Sequence, residues 1–217
     1  MHLPDGILPP AVTLTGYAVS VAVAGFCLYQ IRQFPDPRAE VPRTALLTAV
    51  FFVASLIAIP LPPISVHLLL NGLLGALLGW FAFPAILVGL ALQALMFGHG
   101  GVTTIGINGV ILGLPALLAF ALFRLAGKLP RQFQKLGERV LGFVVGAGAV
   151  ALSVLLFAGL ALSFLPAAID AERERQALAA LMLAYLPVLV LEGLITALLV
   201  GFLQKVSPEL LHGRASR

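Results

Sequence analysis

The sequence predicts an all-α, polytopic membrane protein, a bundle of about seven transmembrane helices with its amino terminus outside and its carboxyl terminus cytoplasmic. Three observations predict it. Apolar residues make up 60% of the 217 and charged residues only 10%, with a mean hydropathy of +1.07, so a water-soluble domain could not cover its surface. Seven apolar stretches recur along the chain. Lysine and arginine gather at the ends of these stretches and in the segments that connect or follow them, mostly in alternate segments.

The stretches run near 11–31, 44–60, 65–81, 83–97, 104–127, 139–165 and 177–204. One crossing of ~30 Å of hydrocarbon takes ~20 residues, so the third and fourth are short. Pro84 separates them, and Gly72, Gly75 and Gly79 punctuate the third. They form either two full spans or a shallow hairpin. Either way the chain returns to the face it left, and the sidedness of the rest is unchanged. A single integral-membrane domain, 1–217, with residues 1–10 as a separate leading segment, is the expected organisation.

Orientation follows from the cations. Arg32, Arg38, Arg43, Arg124, Lys128, Arg131, Lys135, Arg139, Lys205, Arg214 and Arg217 share one face under seven spans, and only Arg173 and Arg175 lie opposite. The eleven belong in the cytoplasm. The net charge of +4 is therefore a matter of membrane orientation, not of nucleic-acid binding. Cys27 is the one cysteine and lies in an apolar stretch, which excludes a disulfide framework and a thiolate metal site.

With that topology three of the four histidines meet on the outer face: His2 at the terminus, His67 where the third stretch begins, and His99 in the turn between the fourth and fifth. His212 stands alone in the basic tail. The opening "MHLPDGILPP" has no charged leader or cleavage site of a secretory signal, and a bulky second residue favours retention of Met1. A free α-amine, the next amide nitrogen and the His2 ring can close adjacent chelate rings on one metal ion, because a bound cation lowers the amide pKa. One more imidazole, for which His67 is the candidate, completes an all-nitrogen plane suited to Ni(II) or Cu(II).

At these residues the chain resembles a known family. "MHLPDGILPP", "SVHLLLNGLLGALLGW" and "LQALMFGHGGVTTIGINGV", with the tail "LEGLITALLVGFLQKVSPELL", are similar to the CbiM/NikM family. These are the substrate-capture (S) components of energy-coupling-factor transporters for cobalt and nickel. The resemblance implies a seven-helix bundle into which the amino-terminal segment tucks back. It implies Met1 as amine ligand, His2 as amide and ring ligand, and His67 as second ring ligand. His99 and Asn108 match polar positions that orient ligands or gate the site. "HLLLNGLLG" departs from the more polar version common in cobalt members, so cobalt and nickel both stay open. No cofactor is implied beyond the transported Co(II) or Ni(II).

Other polar residues carry two readings each. Asp5 with Gly6 is a turn signal, and secondarily a partner for His2. Glu192, inside the last stretch, is either a helix-packing hydrogen bond or a conformational switch. Asn71, Gln93 and Asn108 suit interhelical contacts, and Ala18 with Ala22 has spacing suited to close contact with a partner subunit.

Energy must come from elsewhere. "RLAGKLP" holds a Gly-Lys pair without a phosphate loop, and no ladder of acidic residues serves proton coupling. The resemblance supplies a transmembrane coupling (T) subunit, a pair of cytoplasmic ATPases and a small accessory membrane subunit, all at the cell (inner) membrane with its lipid bilayer. An S component for a vitamin is the alternative, but it would want a larger lined pocket. An intramembrane metalloenzyme is a further one. It lacks H-E-x-x-H and, apart from Asp5, any carboxylate near the outer histidines.

Overall fold

The computed structural model describes residues 2–61, 64–164 and 171–212. Met1, expected as an amine ligand, and Arg214 and Arg217 of the basic tail lie outside them. Helices dominate: α1 (Pro10–Arg32), α2 (Val41–Leu56), α3 (Asn71–Leu78), α4 (Ala82–Phe97), α5 (Ile105–Phe123), α6 (Arg131–Ser163), α7 (Ala171–Val206) and a short α8 (Glu209–His212). Among the described residues six helical segments are long and apolar enough to cross a membrane, with α3 and α4 counted together as Asn71–Phe97. The protein is a polytopic, multi-pass, all-α membrane protein.

Helix starts follow the prolines. Pro10 opens α1 and Pro42 lies in the first turn of α2, where a missing N–H and a fixed φ cost nothing. Two boundaries differ from expectation. The basic run 131–139 was expected in a loop, but it forms the first turns of α6, whose 33 residues span ~50 Å. The helix therefore outruns the bilayer, and its polar start projects beyond the apolar layer. Likewise α7 begins at Ala171.

The larger correction concerns 65–81. Residues 58–67 are not helical. They form an antiparallel ribbon, β1 (Ala58–Leu61) and β2 (Ile64–His67), with Ala58 opposite His67 and Ile59 opposite Val66. Ile59, Ile64 and Val66 suit a pleated surface. In a two-stranded ribbon both strands are edges, which tolerates Pro60. The third helix thus starts only at Asn71 and has eight residues. A 3-10 turn, Gly79–Phe81, joins it to α4, with Gly79 at φ +59°. His67 and His99, at the far ends of this α3–α4 pair, approach each other. Both ends of the pair therefore lie on one side of the bundle.

At the centre, α5 packs against α1, α3, α4 and α6, while α6 and α7 run together along much of their lengths. The tightest approach is α3 on α5: a Cβ at Gly75 would stand 2.0 Å from the Ala116 carbonyl oxygen. All eight residues of α3 are buried. Polar groups in this apolar interior are satisfied locally. Pro115 has no N–H for the Ile111 carbonyl, and the Ser153 hydroxyl from α6 donates to that oxygen at 2.9 Å. Asn71 Nδ2 donates to Ser153 Oγ at 2.8 Å and to the Leu112 carbonyl at 3.1 Å. Gln93 reaches Ser55 across α4 and α2.

At the end of the bundle opposite the histidines, a cavity of about 700 Å³ is walled by the 76–81 turn, by Arg43, Arg124 and Lys128, and by Glu40 and Glu138. Arg43 Nη2 donates to the Leu77 carbonyl at 2.6 Å and to the Leu210 carbonyl at 2.7 Å, fastening the end of α3 and α8 together.

Candidate metal centre

The site is assembled from three segments far apart in the chain. The first is the extended amino-terminal segment, which lies back against the bundle. Leu3 is buried, and its backbone is held by one side chain at both ends. Its N–H donates to Asn108 Oδ1 at 2.9 Å, and its carbonyl accepts from Asn108 Nδ2 at 3.1 Å. Thr104 Oγ1 adds a 2.6 Å bond to the same carbonyl. Leu8 is buried farther along.

Asp5 makes the second attachment. Its carboxylate accepts from the Val102 amide at 3.2 Å, from the Thr103 amide at 3.0 Å, and from the Thr103 hydroxyl. This anion sits at the turn just before α5, where amides point outward and the dipole favours negative charge. Glycine is required opposite it, since a Cβ at Gly101 would lie 2.0 Å from Asp5 Oδ1. The turn at Asp5–Gly6, with Gly6 at φ +84°, brings the chain away toward α1. Asp5 therefore anchors the terminus through the 101–104 turn.

The second segment is the end of β2, which delivers His67. The third is the turn after α4. Gly98 ends that helix in a left-handed conformation, and the His99 amide donates to the Gln93 carbonyl at 3.1 Å.

The outcome is a cluster of three imidazoles. The ring centroids of His2 and His67 are 5.4 Å apart and nearly parallel. His99 stands edge-on to both, at 4.7 and 5.3 Å. One nitrogen from each ring can be chosen so that all lie within 4.8 Å of one another. Two opposed metal–nitrogen bonds of ~2.0–2.1 Å put donors ~4 Å apart, so small ring rotations suffice to close the three on one ion. Both ring nitrogens of His2 and Nε2 of His99 are buried without a hydrogen-bond partner. Buried polar atoms ordinarily have one. Here one nitrogen of each ring faces the other two across no more than 4.8 Å.

Electrostatics agree. Burial, then the positive chain terminus, then the two neighbouring rings hold His2 well below the usual imidazole range. Burial first, with the terminus and His99 after it, pushes His67 down to about 3. His99 is lowered by burial and by the terminus. At neutral pH all three are neutral and hold lone pairs, the form that ligates metal.

The family described as "Cobalt uptake substrate-specific transmembrane region", CbiM, matches residues 2–210. The chain belongs to the CbiM family. Within it, a Haemophilus influenzae protein provisionally named for metal transport is 36% identical over 98% of this chain and 97% of its own. A fused nickel transport protein, NikMN, of Rhodobacter capsulatus is 31% identical over 99% of this chain and 65% of that longer protein. The cobalt transport protein CbiM of Sorangium cellulosum is 26% identical over 97% and 94%. A solved transition metal transporter superposes with a TM-score of 0.78 at 26% identity, over 95% of this chain and 93% of its own.

In this CbiM-family chain the residues singled out from sequence divide by position. His2, His67 and His99 come together. Asn108 and Asp5 hold the extended segment that carries His2. Glu192 lies on α7, buried, with its carboxylate on the amides of Leu69 and Leu70. Sequence reasoning passed over Thr104, Gly101 and Tyr17, whose hydroxyl donates to the Val102 carbonyl. For Gly101 and Thr104 the only sequence signal was membership of the "GHGGVTTIGIN" run, and Tyr17, in the first apolar stretch, carried none.

Proposed function

We propose that this protein is the substrate-specific membrane subunit of an energy-coupling-factor uptake transporter, capturing Ni(II) or Co(II) on the outer face of the cell membrane. The observation that carries the reading is the convergence of three neutral imidazoles, His67 buried and His2 and His99 partly so. The ligand set is the Met1 amine, the His2 amide and ring, and the His67 ring, a four-nitrogen plane that suits Ni(II). His99 stands edge-on and orients or gates. The ion is cargo, and no resident cofactor is needed.

The chain itself has no phosphate loop, so a pair of cytoplasmic ATPases and a transmembrane T subunit supply the energy, with a small accessory membrane subunit. Ala18 and Ala22 lie exposed on the outward face of α1, which supports close approach of a partner helix there. This is a transport subunit, not an enzyme.

Calorimetry of Ni(II) and Co(II) on the purified chain tests the reading. Inserting one residue between Met1 and His2 breaks the covalent spacing of amine, amide and ring and should abolish high-affinity binding in a folded protein. Undiminished affinity would refute the chelate. One observation favours a second ligand set: His99 is as close to His2 as His67 is. Three imidazoles would then hold the ion without the terminal amine. In that case His99→Ala abolishes binding and the insertion is tolerated.

A further inference from the structure

Between β2 and α3 the chain makes a turn that nothing in its own sequence satisfies. Residues 68–70 are neither strand nor helix. Leu70 sits at φ 48°, a left-handed conformation that a residue with a Cβ disfavours. The turn points the N–H groups of Leu69 and Leu70 the same way, into an apolar interior where both flanking side chains are buried. Both are received by one carboxylate: Leu69 donates to Glu192 Oε1, and Leu70 to Glu192 Oε2 at 2.8 Å. Glu192 is fully buried. An amide side chain could accept only one of these bonds and would present its own N–H to the other donor.

The carboxylate is itself fixed. The Glu192 carbonyl accepts from Thr196 Oγ1 at 2.8 Å, and glycine at 146 lets α6 lie against α7 at this level, where a Cβ would stand 2.8 Å from the Glu192 carbonyl oxygen. His67 lies two residues before the first amide that Glu192 holds.

We propose that Glu192 is a positioning residue for the metal site. By receiving the Leu69 and Leu70 amides it holds the disfavoured turn that presents the His67 ring, and so links α7 to metal occupancy. This rests on the reading of His67 as a ligand. Linkage makes the effect reciprocal: whatever the clamp contributes to metal binding, bound metal contributes to the clamp.

The test uses the full chain in detergent, with Cu(II) as a paramagnetic probe that counts coordinated nitrogens and Ni(II) for affinity. Glu192→Gln should reduce the nitrogen count from four to three and weaken Ni(II) binding by about 10- to 100-fold, as loss of a ligand-orienting group does. In a His67→Ala background the same substitution should cost nothing further, because it acts through that ring. Asn71→Ala, which removes a buried contact on the neighbouring turn, should lower thermal stability and leave the count at four. Four nitrogens with wild-type affinity in Glu192→Gln overturns the proposal, and so does an equal loss in both backgrounds. Wild-type affinity in His67→Ala overturns the ligand assignment itself, and is read without reference to position 192. If Glu192→Gln does not fold, hydrogen exchange on the wild type decides. Ni(II) should slow exchange at the Leu69 and Leu70 amides, and unchanged rates overturn the clamp.

Discussion

Removing the Asn108 side chain should release the terminus that carries His2. Asn108→Ala deletes two bonds to Leu3, of 2.9 and 3.1 Å, in a position only 3% exposed. The Leu3 carbonyl keeps Thr104 Oγ1, but the Leu3 N–H is left buried with no acceptor. An orphaned buried donor costs about 1–3 kcal/mol and the second bond about 1 kcal/mol, so about 2–4 kcal/mol is lost from the docked state. The metal-bound form needs the segment docked, whereas the metal-free form can let it go. The penalty therefore falls on binding, and at ~1.4 kcal/mol per decade the Ni(II) dissociation constant rises about 30- to 700-fold. Titration calorimetry on wild type and variant measures it, with the thermal transition of the bundle as a control, because Asn108 holds the terminus and not the helices. Affinity within a factor of about two of wild type, in a folded variant, would refute the idea that this latch governs presentation of His2.

Gly101→Ala pushes a methyl group into Asp5 and should weaken metal binding without unfolding the helices. Asp5→Ala should reproduce the effect, and a normal affinity in Gly101→Ala would count against the anchor. Protons released on Ni(II) binding, counted by calorimetry in buffers of different ionisation enthalpy, report the imidazoles. With His2 and His67 held below the ordinary range, about two protons should leave at pH 6, from amine and amide, where ordinary imidazoles would raise the total to about three and a half. The same depression has a stability sign. The unfolded chain takes up protons below about pH 6.5 that the folded site refuses until about pH 3. The stability the site contributes above pH 6.5 is therefore lost progressively as pH falls through that window. Ser153→Ala orphans the Ile111 carbonyl and one Asn71 donor and should cost about 2 kcal/mol by thermal unfolding, with Ni(II) affinity unchanged.

What the sequence could tell depended on how local the signal was. Apolar runs and cation placement reveal spans because bilayer thickness and loop charge act residue by residue. His2 and His67 were singled out through chelate chemistry and a resemblance of motifs, and the structure adds that their rings lie together. The ribbon at 58–67 was not. Its residues are as apolar as those of a helix, and only the pairing of Ala58 with His67 across the turn distinguishes it. The partner of Glu192 was equally hidden, since a carboxylate satisfied by two backbone amides 122 and 123 residues away leaves no mark in side-chain spacing. Asn108 read as one polar residue among several. Its hold on Leu3 exists only once the terminus has folded back.

The short helix α3 has a mechanical consequence. It hangs between two fasteners, Glu192 above its first turn and Arg43 at its last, and fills ~12 Å of the interior between the histidines and the cavity beyond. Among the described residues its entire length is enclosed. An ion resting on the imidazoles thus faces a stopper rather than a pipe. On the proposed function, cargo crosses this level only in step with a displacement of α3. Whatever drives transport must work against one eight-residue bolt, whose withdrawal breaks a handful of identifiable bonds and leaves the long helices around it intact.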